Sequence, residues 1–155
     1  MNGEGPLGNI LLVVVIILFM LGSIFLRRRS AEKTELGKIV SLLSEINQNL
    51  KIIDAFSFHW RTKKFKTGAW QRNTTKLDFL DERLQTTLAN AFGMAEEFNR
   101  EIDEARRHKS SSYLASIKVD KLKDVMTKGQ QELGEWFQEN KDKQELLPRK
   151  RGLFG

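Results

Sequence analysis

Between Ile10 and Leu26 every residue except Gly22 and Ser23 is apolar. With Leu7 to Asn9 the stretch approaches the roughly 20 residues needed to cross about 30 Å of hydrocarbon. A buried helix of a soluble protein would normally keep a polar face, whereas Leu11 to Leu18 are apolar in every direction around a helix. The stretch therefore reads as a transmembrane helix over 10–26. A cleaved signal peptide would carry cations ahead of its apolar run, but residues 1–9 hold Glu4 and no Lys or Arg. Instead Arg27, Arg28 and Arg29 follow the run directly, and cytoplasmic flanks retain such charges. They serve as the topology anchor: N-terminus outside, C-terminal domain cytoplasmic, single pass. In that orientation the sequon Asn73-Thr74-Thr75 is a chance match.

The remainder of the 155 residues suffices for one domain of ordinary size. The expected layout is a short extracytoplasmic N-terminus (1–9), the transmembrane helix (10–26), a cytoplasmic helical domain (27–140) and a basic, disordered tail (141–155). A formal net charge of +6 favours anionic partners, whether lipid head groups, nucleic acid or an acidic protein surface. The absence of cysteine excludes a disulfide scaffold, a thiolate metal site and a cysteine nucleophile.

The first cytoplasmic segment, Ser30 to about Phe56, opens like a capped helix with Glu32 and Glu35 in its first turns. Leu36, Ile39, Leu43, Ile46, Leu50 and Ile53 alternate steps of three and four, a narrow heptad seam. This seam can serve self-association beside the membrane or packing against the chain's own later helices. Next comes a stretch with no acid between Asp54 and Asp78, in which Arg61, Lys63, Lys64, Lys66, Arg72 and Lys76 interleave with Phe56, Phe58, Trp60, Phe65 and Trp70. Trp60, Arg61, Lys63, Lys64, Lys66, Trp70 and Arg72 are the candidate contacts to an anion or a membrane. Aromatics suit the head-group region or stack on bases, and cations meet lipid or nucleic-acid phosphates. The bland alternative has the rings closing one end of a bundle while the cations face an acidic neighbour.

From about Thr74 to His108 an apolar stripe of Leu77, Leu80, Leu84, Leu88, Ala91, Phe92, Ala95, Phe98, Ile102 and Ala105 predicts a long helix with an acidic outer face. After Ser110-Ser111-Ser112 another helix is expected, starting near Ser112 or at Asp120 as N-cap and fading after Asn140. Gly129 and Gly134 weaken its middle. No stretch alternates at period two for the length of a strand.

Residues that carry chemistry are sparse. Gly129 and Gly134 are not followed by the Gly-Lys-Ser/Thr of a phosphate loop. The only histidines, His59 and His108, lack the Glu-x-x-His step of di-iron bundles. The expected fold is all-α, one N-terminal transmembrane helix followed by a cytoplasmic bundle of about three amphipathic helices. The expected function is a membrane-anchored interaction or scaffold protein rather than an enzyme, with no cofactor or metal. Its partners would be the lipid bilayer, an unidentified protein and a second copy of itself, joined at the Leu36 to Ile53 seam. The alternative is a tethered binder of anionic lipid or, less favoured, nucleic acid.

Overall fold

The computed structural model of the chain describes residues 34–145. The span predicted over 10–26, the Arg27, Arg28 and Arg29 flank and most of the predicted tail lie outside the described residues. Among the described residues no helix is long and apolar enough to cross a membrane. They form an all-helical bundle of four α-helices: α1 (Glu35–Asp54), α2 (Gly68–Asn73), α3 (Glu82–Arg107) and α4 (Val119–Glu145). Three are long and one is a six-residue turn of helix.

α1 starts later than the sequence suggests. Thr34, in extended conformation, accepts a hydrogen bond from the Gly37 amide at 3.0 Å and is the N-cap in place of Ser30. α3 also starts late, at Asp81, whose carboxylate accepts from the Leu84 amide at 2.9 Å. The stretch expected to open this helix instead forms a 3-10 turn (Thr74–Lys76) and a loop that buries Leu77 and Leu80. α4 runs on to Glu145, past the expected fade at Asn140, and a 3-10 turn (Ser111–Leu114) precedes it.

The core is built from the apolar faces of the three long helices. α1 contributes Ile39, Leu42, Ile46 and Ile53, α3 contributes Leu84, Leu88, Ala91, Phe92, Ala95, Phe98, Ile102 and Ala105, and α4 contributes Leu122, Met126 and Leu133. α4 packs on both α1 and α3. Its direction is fixed by cross-links at successive heights: Lys123 to Asp54 at 2.7 Å, Gln130 to Asn47, and Arg83 to Glu132 at 3.0 Å. α4 therefore runs antiparallel to both α1 and α3. Gly129 lies at the centre of this packing, where an added Cβ would meet Leu88, Ile46 and Thr87 at 3.6–3.9 Å.

An up-down-up-down bundle would place a helix between α1 and α3. Here the descending element is an extended strap, residues 62–67, followed by α2. Thr62, Phe65 and Thr67 in the strap, and Phe56, Phe58 and Trp60 ahead of it, favour helices weakly. Lys38 then bonds the Lys76 carbonyl at 3.3 Å, so the chain has returned to the start of α1 before α3 begins. The bundle thus has a root, where Thr34 opens α1, and a tip about 30 Å away, where the 20 residues of α1 end.

Candidate functional site

The basic aromatic segment divides into two parts. Its inner part is held by polar side chains buried in the helix stripes. Asn99 of α3 accepts from the Phe65 amide at 2.8 Å and donates to the Phe65 carbonyl at 2.9 Å. Asn49 of α1 does the same for Lys66, accepting at 2.6 Å and donating at 2.7 Å. Successive residues of an extended chain present their amides and carbonyls to opposite edges. Two carboxamides from two helices therefore grip the strap from both sides, each imitating the edge of a neighbouring strand. Glu45, one turn before Asn49, accepts from the Ala69 and Trp70 amides, both at 2.9 Å, and so caps α2. Thr67, at the N-cap position of α2, gives no side-chain cap, so the carboxylate from α1 satisfies donors that would otherwise be orphaned. Arg106 donates to the Thr62 carbonyl at 2.7 Å and ties the strap's beginning to the end of α3.

This grip sorts the sequence-predicted contact residues. Trp70 is stacked on Phe92, with centroids 5.2 Å apart, and packs against the core. Lys64 is paired with Asp103 at 2.6 Å, so the basic segment does meet the acidic helix at this point. Lys66 and Arg72 are exposed along the flank, away from the tip. Trp60, Arg61 and Lys63 belong to the outer part, where the Arg61 guanidinium lies over the Trp60 ring at 4.5 Å. There a turn closes through the Thr62 amide on the His59 carbonyl at 2.8 Å. The turn rests on the α3–α4 connection, with the Trp60 amide donating to Ser111 Oγ at 3.2 Å. Phe58 projects from it with 57% of its surface exposed, its ring edge-on to Phe56 at 5.1 Å. Tyr113, from the adjoining connection, is 37% exposed and stacks on His108.

The connection itself carries an unusual residue. Lys109 has φ 49°, in the left-handed region. The Ser110 amide reaches the Ala105 carbonyl at 3.0 Å and the Lys109 amide reaches Arg106 at 3.3 Å, a Schellman ending in which glycine is the unstrained choice.

The predicted association seam is also divided. Ile39, Ile46 and Ile53 lie 0–6% exposed inside the chain's own core, while Leu36, Leu43 and Leu50 are half-buried at its edge. Beside them an open groove between α1 and α4 is lined by Val40, Leu43, Ser44, Asn47, Gln48, Lys51 and Phe137. At the root, a second cleft collects Asp81, Glu132, Glu135 and Glu139 around Arg83 and Trp136. There the Glu132 Oε2 atom is enclosed without a hydrogen-bond partner among the described residues.

Sequence reasoning missed Glu45, Asn49, Asn99 and Lys109. The first three had a legible signal, a polar residue beside Ile46 or Phe98 on an otherwise apolar face. Lys109 had none, since backbone handedness is not written in a lysine.

No family model, curated protein or solved structure matches this chain.

Proposed function

We propose that this chain is a single-pass membrane-anchored interaction module, with its helical bundle on the cytoplasmic side. The apolar run over 10–26, with Arg27, Arg28 and Arg29 behind it, supports the anchoring and its direction. The observation that carries the module reading is the use of the buried polar side chains. Glu45, Asn49, Asn73 and Asn99 all bond backbone groups, three of them to hold the strap and cap α2, so they build a surface rather than a cleft for chemistry.

Self-association through the heptad seam is the narrower part of the reading. Its isoleucine half already serves the chain's own core, so a second copy would use the outer edge at Val40, Leu43 and Phe137. Alkaline carbonate treatment of membranes that carry the full chain, followed by crosslinking, tests both parts. The reading expects the chain to stay in the pellet, with protease reaching the bundle from the cytoplasmic face. Release into the supernatant would sink the anchor, and a purely monomeric band would sink self-association.

A second reading, contact with an anionic surface, is favoured by the exposure of Phe58 beside Trp60, Arg61 and Lys63.

A further inference from the structure

We infer that the tip of the bundle docks on an anionic lipid bilayer, and that this bilayer faces the one holding the anchor, so that the protein bridges two membranes. The inference rests on the anchored reading above for the bridging, while the lipid contact stands on the tip alone. Phe58 is exposed and Tyr113, stacked on His108, is partly so on two adjoining connections, and Trp60 lies beneath Arg61. Rings of this kind settle at the level of the head groups, and Phe56 backs Phe58 so that its ring is presented rather than collapsed.

Exposed cations lie in the same segments as the rings. Of the acids at this end, Asp54 pairs with Lys123, Asp103 with Lys64 and Glu104 with Arg107, and the exposed Asp120 and Asp124 at the start of α4 are matched in number by the exposed Lys118 and Lys121. Arg61, Lys63 and Lys109 are exposed, Arg61 over the Trp60 ring and the two lysines in the segments that flank Phe58 and Tyr113 in sequence. Lys109 adds an independent observation. It holds a left-handed conformation that glycine would adopt without strain, and strain kept at an exposed position points to a use for the side chain. A flat, anionic, partly apolar surface suits exposed rings that share their loops with cations. Single-stranded nucleic acid instead favours a groove that tracks its backbone.

The location selects which bilayer. α1 leaves the root and the tip lies about 30 Å further on, three or more Debye lengths from a surface at the root. Where the bundle stands upright on its anchor, its tip lies beyond the field of its own leaflet and presents Phe58 to whatever membrane faces it.

The test uses the full chain reconstituted into neutral phosphatidylcholine vesicles, mixed with a second, labelled population with or without phosphatidylserine, and reads capture of the label. The inference predicts capture of the phosphatidylserine vesicles only. Phe58→Ser is expected to lower it about tenfold, and Lys109→Gly about fivefold, the loss of one cation near an anionic surface. Because Lys109→Gly relieves strain, its loss of capture could not be ascribed to unfolding. Capture indifferent to both substitutions, or equal for neutral vesicles, overturns the inference, as does displacement of the captured vesicles by a single-stranded oligonucleotide at lower concentration. Should carbonate strip the chain from the donor vesicles, the anchored reading fails. Co-flotation of the detached chain with phosphatidylserine vesicles, weakened by the same substitutions, then decides the lipid contact separately. Binding within a single phosphatidylserine-containing donor population, with no capture of the second, places the tip on its own membrane and refutes bridging.

Discussion

The strap and the tip loop are neighbours in one basic, aromatic stretch of sequence, and they meet opposite fates, one buried and one exposed. In the strap, Phe65 is 3% exposed, packed between Phe56 and Phe98, with its amide and carbonyl both bonded to Asn99. A few residues earlier, Phe58 sits in a similar run of aromatics and polar residues and is 57% exposed. Local sequence does not separate the two rings. The difference lies in where α1 and α3 place a carboxamide, since an extended backbone can be buried only where its polar groups find partners. Asn49 and Asn99 supply them for residues 65 and 66. Past the end of α1 there is no equivalent grip, and the chain turns outward.

The largest effect should come from exchanging the fates of the two rings. Phe65→Ala is expected to lose about 3–5 kcal/mol of stability as a core truncation. Phe58→Ala should change stability by less than about 0.5 kcal/mol. Urea unfolding of the two variants checks the contrast, and equal losses would break it.

Removing the grip while leaving the ring comes next. Asn99→Ala strips partners from a buried amide and a buried carbonyl, a cost of about 2–4 kcal/mol. Asn49→Ala, at a half-buried pair, should cost less. If both variants melt with the parent, the carboxamides are bystanders.

At the tip the sign reverses. Lys109→Gly should stabilise the fold by about 1 kcal/mol by removing a left-handed lysine, read as a higher urea midpoint. A lower midpoint would mean that the side chain supports the tip's structure.

The smallest effect is a titration. The hydrogen bond from Lys123 to Asp54, and next their charge attraction, raise the Lys123 pKa above its ordinary 10.5. A raised folded value means that the contribution is complete below 10.5 and is lost as pH climbs through the folded value. Asp54→Asn should return the Lys123 pKa toward 10.5 by NMR, with only a slight change in stability for so exposed a pair.

The helices were largely legible in the sequence, because periodic apolar residues reflect a one-sided burial that any packed helix must satisfy. The whole stripe from Leu77 to Ala105 is buried as expected. Its spacing nevertheless overstated the length of α3. Leu77 and Leu80 continue the step of three or four into Leu84, yet they are buried from a turn and a loop, and Asp81 makes the true start. The strap was not legible, because its conformation is imposed by Asn49 and Asn99, which lie 17 residues ahead and 34 behind. For the candidate contact surface, the sequence grouped Trp60, Arg61 and Lys63 with Trp70, whose ring packs inward on Phe92. It also had no means of adding Lys109 and Tyr113, brought to the same end only by the turn after α3.

Amide hydrogen exchange of the full chain tests the grip on the strap most directly. The amides of Phe65 and Lys66, and those of Ala69 and Trp70 held by Glu45, should be protected nearly as well as the core of α3, although residues 65 and 66 lie in no helix or strand. Those of Phe58 and His59 should exchange at rates typical of an open loop. Exchange of the Phe65 and Lys66 amides as fast as at the tip would contradict the account, since the side-chain grip that divides the segment would then not exist.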